Sequence, residues 1–181
     1  MSTPIPDEPT ISTEHIFQGR VLGLRVDTVQ LHDGKTSVRE IIEHHGAVVV
    51  IPIDAEDRVL LVRQYRKAIE QALLELPAGG LHVGEDPAEA AIRELREEVG
   101  VSARNLEPLG GFYSAPGFCQ EYLWLYLATD LHDAPLDPDE DEFVVVEPTP
   151  FAEAIAMIER GELRDAKTVA GLLRVALMRR G

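Results

Sequence analysis

At 181 residues the chain is long enough for one domain with a small appended one, and a 45% share of hydrophobic residues fills a core and excludes global disorder. Acids outnumber bases 32 to 17, a formal net charge of −15. That balance argues against a nucleic-acid partner, and it means that an anionic ligand is repelled except where arginine or a bound cation reverses the field locally.

No apolar run reaches about 18 residues, so no membrane span is expected. Residues 1–13 are polar, carry Pro4, Pro6 and Pro9, and lack an apolar stretch, which reads as a loose tail and not a signal peptide. The one cysteine, Cys119, allows no intrachain disulfide and suits a reducing cytoplasm, the expected location. Residues 15–31 are rich in Val and Leu and broken at Gly19 and Gly23. Asp33-Gly34 is a turn signal, and 36–43 is the expected return strand. Residues 46–53 form a continuous apolar run, the pattern of a buried strand, and 58–65 a second one. A short apolar segment, 73–76, leads into the loop Pro77-Ala78-Gly79-Gly80, where backbone can approach a ligand closely.

A helix is expected over about 87–99. Asp86 is its N-cap, Pro87 its first residue, Glu89 extends a capping-box-like pattern, and Gly100 takes the left-handed position after its end. Ala88, Ala91, Ile92, Leu95 and Val99 recur at helical spacing and are expected to face the core. Further strands are expected at 107–113, 122–129 and 143–147, then helices at 151–160 and 165–179, with Ile155 and Ile158, then Val169, Leu172, Leu173 and Ala176, turned inward. Strands mixed with helices of this length imply an α/β sandwich.

The helix carries Glu94, Glu97 and Glu98 close to its C-terminal end. Carboxylates three and four apart share a face, repel one another, and sit at the negative pole of the helix, a cost of about 0.3–1 kcal/mol each. A hard divalent cation turns that cost into a binding site, and carbonyls of the preceding Gly loop are candidate extra oxygen ligands. Arg93 is placed to pair with Glu97 one turn on and with Glu85 ahead of the helix.

Residues 79–101 fill every fixed position of the pattern G-x5-E-x7-R-E-U-x-E-E-x-G-U, where U is bulky and apolar: Gly79, Glu85, Arg93, Glu94, Leu95, Glu97, Glu98, Gly100 and Val101. On that pattern the chain resembles the Nudix hydrolases over about residues 44–180. The resemblance implies a mixed-sheet α/β/α sandwich with the pattern as loop–helix–loop. The preceding part looks like the extra N-terminal antiparallel sheet of the ADP-ribose pyrophosphatase branch, which in that family exchanges between subunits. The expected organisation is therefore a tail, 1–13, a strand subdomain, 14–43, and a hydrolase domain, 44–181, in a homodimer that engages neither nucleic acid nor membrane.

The same resemblance implies Mg²⁺, with Mn²⁺ as a substitute, bound by Glu94, Glu98 and the Ala78 carbonyl. It makes Glu97 a ligand or the holder of a metal-bound water, and Glu85 with Arg93 a brace. The acidic run 137–142 precedes an expected strand, as does the branch's catalytic loop, which makes Glu140 and Glu142 the two candidates for the base. Pro116 lies sixteen residues after Gly100, a mark of the ADP-ribose-cleaving branch. With Gly117, Glu121, Arg66 and Arg39 it forms the expected substrate-binding set. A guanidinium fork suits phosphate oxygens. The implied reaction is hydrolysis of ADP-ribose to AMP and ribose 5-phosphate. The rivals are hydrolysis of other sugar nucleotides or dinucleoside polyphosphates, and a non-catalytic sensor on the same fold. His82-Val83 departs from the acidic-Pro pair common in the branch, which bears on substrate preference.

Overall fold

The structure is a computed structural model that describes residues 5–137 and 143–180. Its contacts divide the chain into two compact units, Met1–His45 with Tyr113–Glu121, and Gly46–Phe112 with Tyr122–Gly181.

The first unit is an antiparallel meander of β1 (Thr10–Gln18), β2 (Gly23–Gln30) and β3 (Thr36–Glu43). β1 begins at Thr10, inside the segment read as a tail. The ladder to β2 and a bond from the Thr13 hydroxyl to the buried Asp27 carboxylate (2.8 Å) hold its first residues. Asp27 also takes Arg25 at 3.2 Å, and Arg25 reaches Glu43 at 2.7 Å. The 113–121 segment, read from sequence as part of the second domain, goes with this unit. Ile42 N–H donates to the Phe118 carbonyl (2.7 Å) and Gln120 N–H to the Ile42 carbonyl (3.1 Å), which continues the edge of β3.

The second unit holds two sheets. One has the order β7-β4-β9-β8, from β4 (Ala47–Pro52), β7 (Ala78–Gly80), β8 (Val101–Tyr113) and β9 (Tyr122–Asp133); β4 pairs β9 in parallel and β7 antiparallel. The other has the order β10-β5-β6, from β5 (Arg58–Arg66), β6 (Gln71–Glu75) and β10 (Val144–Pro150), antiparallel throughout. Every residue of β4 is buried, because helices cover both of its faces. Val48 and Val50 pack with Ala90, Ala91 and Leu95 of the acidic helix. Val49 and Ile51 pack with Phe151 and Ala154 of α2 (Phe151–Glu159) and with Leu172 and Val175 of α3 (Ala166–Met178). Period-two alternation in one strand thus joins two apolar clusters into an α/β/α sandwich.

Two helix readings shift. The inward stripe of α3 is Thr168, Gly171, Leu172 and Val175, and Leu173 is exposed. Asp165 caps the helix, and a Cβ on Gly171 would lie 2.7 Å from Leu76 Cδ1, so this side is the one pressed onto the sheet. In the acidic helix the buried residues are Ala90, Ala91, Glu94, Leu95 and Glu98, while Ile92 is only partly covered. The helix is α (α1, Pro87–Glu94) for two turns and then widens into a π-helical turn, Leu95–Val99.

Candidate active site

The acidic helix starts as its sequence requires. The Asp86 carboxylate accepts from Ala88 N–H (2.8 Å) and Glu89 N–H (3.4 Å), and Pro87 needs no donor there. It stops at Gly100, whose φ of 78° is left-handed and disfavoured for any residue with a Cβ. Between these ends, the π turn falls on the three glutamates, a location where such turns often accompany function.

Glu94 and Glu98 are 6% and 5% exposed, unusual for carboxylates, which do not stay buried without partners. Their burial comes from β7. Val50 N–H donates to the Pro77 carbonyl and Leu81 N–H to the Gly46 carbonyl, so ladder alternation turns the peptide groups of Ala78 and Gly80 away from β4. Ala78 N–H then donates to Glu98 Oε2 (3.0 Å), and the Gly80 carbonyl accepts from Arg93 Nη2 (3.1 Å). Gly79 lies flat against the Glu94 carboxylate. A Cβ there would sit 1.9 Å from its carbon, so only glycine lets strand and acid come so close.

Arg93 links the acids. It forks onto Glu85 (Nε–Oε1 2.9 Å, Nη2–Oε2 3.0 Å), and its Nη1 donates to Glu94 (2.5 Å) and Glu97 (3.0 Å). The Arg93 fork, helped by a bond from His82 N–H, holds the Glu85 carboxyl well below its usual 4.5, at about 2. The same pairing raises the Arg93 guanidinium further above its usual range. The brace expected of Glu85 and Arg93 is thus present.

Among the described residues no three acidic, histidine or cysteine side chains are arranged to hold a metal ion; Arg93 pairs with Glu94 and Glu97, and Ala78 N–H donates to Glu98. The donor chemistry nonetheless fits a hard divalent cation. All its atoms are oxygens, two of its carboxylates lie one turn apart and nearly dry, and Gly79, with no side chain, lets the Glu94 carboxylate lie directly against the strand.

Beside this helix stands a second charged group, of which the sequence reading singled out only Arg66. Glu75, at the end of β6, is 1% exposed. Arg66 grips it with a side-on fork (Nε–Oε1 2.9 Å, Nη2–Oε2 2.7 Å), and the Lys167 ammonium donates to its Oε2. Burial opposes ionisation of Glu75, and the two cations outweigh it, so its carboxyl lies below the usual range. Glu75 raises the pKa of Arg66 most, with Glu98 and Asp165 adding to the effect. The available signal was a single acid inside an apolar run, Leu73-Leu74-Glu75-Leu76, because a charge there must be paired.

The NUDIX domain family matches residues 43–172. The chain belongs to that family. The "Nucleoside diphosphate sugar hydrolase N-terminal domain" matches residues 8–42 of this Nudix chain. The ADP-ribose pyrophosphatase of Bacillus subtilis (strain 168) is 42% identical to it, over 90% of this chain and 89% of the relative. The methanol dehydrogenase activator of Bacillus methanolicus is 46% identical, again over 90% and 89%. The crystal structure of an ADP compounds hydrolase aligns with a TM-score of 0.88 at 27% identity, covering 99% of this chain and 98% of that one. The Nudix hydrolase fold expected from residues 79–101 is therefore the observed one, and the chain is a Nudix hydrolase.

The second unit brings together Ala78, Glu94, Glu97 and Glu98, with Arg66 within electrostatic reach of Glu98. The other expected substrate contacts lie in the first unit. Pro116 and Gly117 occupy a turn closed by Phe118 N–H and Cys119 N–H on the Ala115 carbonyl. Glu121 Oε1 is 3.7 Å from His44 Nδ1. Arg39 forks onto Glu8 (2.8 and 2.6 Å). Glu140 and Glu142 lie outside the described residues.

Proposed function

We propose that this Nudix hydrolase cleaves the diphosphate bond of ADP-ribose, giving AMP and ribose 5-phosphate, with Mg²⁺ as its resident cation and Mn²⁺ as a substitute. The observation that carries the reading is the pair of nearly dry carboxylates, Glu94 lying against Gly79 and Glu98 on the Ala78 N–H. Glu94, Glu98 and the Ala78 carbonyl would hold the cation, with Glu97 as a further ligand or the anchor of a water. When bound, the cation supplies charge neutralisation at the phosphoryl oxygens and lowers the pKa of water. Arg66 offers phosphate the guanidinium edge not used on Glu75. Glu140 or Glu142 takes the proton of the attacking water; Glu121 stands for the family glutamate near the scissile diphosphate, Arg39 for a contact on the adenine side, and Pro116 and Gly117 complete the substrate-binding set.

The names of the Bacillus subtilis relative and of the aligned structure support ADP-ribose within the class of ADP compounds. A panel of ADP-ribose, sugar nucleotides and dinucleotides, read by product release with and without Mg²⁺, tests this. Dinucleotides belong in it because one relative is named for activating a dehydrogenase, and dinucleotide cofactors carry the same linkage. Slower turnover of ADP-ribose than of any other compound in the panel overturns the choice, and absence of Mg²⁺-dependent turnover favours a sensor.

A cytoplasmic homodimer completes the proposal. No helix among the described residues is long and apolar enough to cross a membrane. Every residue of β1 is exposed on both faces, and Ile11, Ile16, Phe17 and Val38 leave apolar surface of the kind that partners cover.

A further inference from the structure

The Glu75 cluster closes on itself. Lys167, which donates to Glu75, lies 3.1 Å from Asp165 Oδ2. Asp165 accepts from Thr168 N–H (2.9 Å) and the Thr168 hydroxyl (2.6 Å), and that hydroxyl in turn accepts from Leu76 N–H (2.7 Å), the residue after Glu75. The ring fastens the first turn of α3 to the end of β6, with Arg66 as its most exposed charged member, at 39% side-chain exposure.

A buried carboxylate needs a countercharge, and one arginine supplies one. Two cations are present instead. A guanidinium paired to a carboxylate on its own is a neutral object to an approaching diphosphate. Here Lys167 is shared between Glu75 and Asp165, and Asp165 is also held by the donors of the α3 N-terminus, so Glu75 does not draw on Arg66 alone. Part of the positive charge of Arg66 is therefore left for an outward oxyanion. Its geometry agrees. Nε and Nη2 are committed side-on to Glu75, so the end-on Nη1/Nη2 edge, with three of the five N–H groups, is left for a second oxyanion.

We propose that Glu75 and Lys167 are positioning residues for the substrate diphosphate: Glu75 sets the plane of the Arg66 guanidinium, and Lys167 offsets part of the charge of Glu75 so that Arg66 keeps positive charge for the diphosphate. This rests on the reading that Arg66 binds substrate phosphate. Neither residue touches the substrate, and both act through Arg66.

Steady-state kinetics with ADP-ribose and Mg²⁺ test it, together with thermal melts and a double-mutant cycle. Lys167→Met keeps the stem and removes the charge. It raises KM about tenfold with kcat within about twofold, and Lys167→Arg restores KM. In an Arg66→Ala background, Lys167→Met has no further effect on KM. Glu75→Gln keeps the shape and weakens the fork, and it raises KM in the same way wherever its melt shows a folded protein. A merely structural ring would lower the melting temperature and leave KM unchanged. If Arg66→Ala leaves KM unchanged, the phosphate reading of Arg66 fails. If Arg66→Ala raises KM and Lys167→Met does not, or the two add, the positioning role alone is overturned.

Discussion

Arg93 bonds to three carboxylates and a carbonyl through one guanidinium. Its strongest partner, Glu85, titrates near 2 in the fold against a usual 4.5. Because the folded value is the lower one, this stabilisation is complete above about pH 4.5 and disappears as pH falls through about 2. Glu85→Gln therefore destabilises the protein by on the order of 2 kcal/mol at pH 7 and flattens the acid limb of its stability curve, measured by urea melts from pH 2 to 7. Glu98→Gln behaves differently. The amide oxygen still accepts from Ala78 N–H, and one charge leaves a self-repelling group. The expected result is a melting temperature no lower than the parent's without Mg²⁺. Turnover falls by about a thousandfold, and much of the stabilisation by added Mg²⁺ is lost. Parental turnover in this variant would remove Glu98 from the ligand set.

Elements here are fastened at their ends. β7 is three residues long, yet it presents Ala78 and Gly80 to the acidic helix because the ladder to β4 turns their peptide groups outward. Gly79→Ala would push a methyl into the Glu94 carboxylate. It is expected to cost about 1–3 kcal/mol and to lower activity at least tenfold, read by melts and by kcat/KM. At the start of α3, the Thr168 hydroxyl is the partner of the buried Leu76 N–H. Thr168→Val keeps the shape and strands that donor, so stability drops by about 1–3 kcal/mol in denaturant melts.

For the whole molecule, charge and exposed surface set the open terms. A net charge of −15 repels a diphosphate at long range, so in the proposed function binding rests on the cation and on Arg66, which lies within electrostatic reach of Glu98. The exposed apolar residues of β1 and β3 predict a particle of two chains by analytical ultracentrifugation. Ile16→Asp with Phe17→Asp is expected to reduce it to one.

Much of this was legible in the chain itself. The 36–43 strand, the apolar run that became β4, the Asp86 cap, the Gly100 stop and the Glu85–Arg93 brace all follow from local rules, because caps, turns and period-two or helical spacing act between near neighbours. The π turn over Leu95–Val99 has no local signal in Leu-Arg-Glu-Glu-Val. On α3, Leu172 and Ala176 face the core as their spacing implies, but Leu173 is exposed, because the orientation is decided by Gly171 packing against Leu76, ninety-five residues away in sequence. The partition of 113–121 depends on pairing with Ile42, and the Glu75 ring joins β5, β6 and α3. The residue types and spacing from which a hard cation site is proposed are a property of the sequence. Which cation neutralises which buried acid was settled only when distant segments met, because the energy of a buried charge is set by whatever partners the fold brings to it.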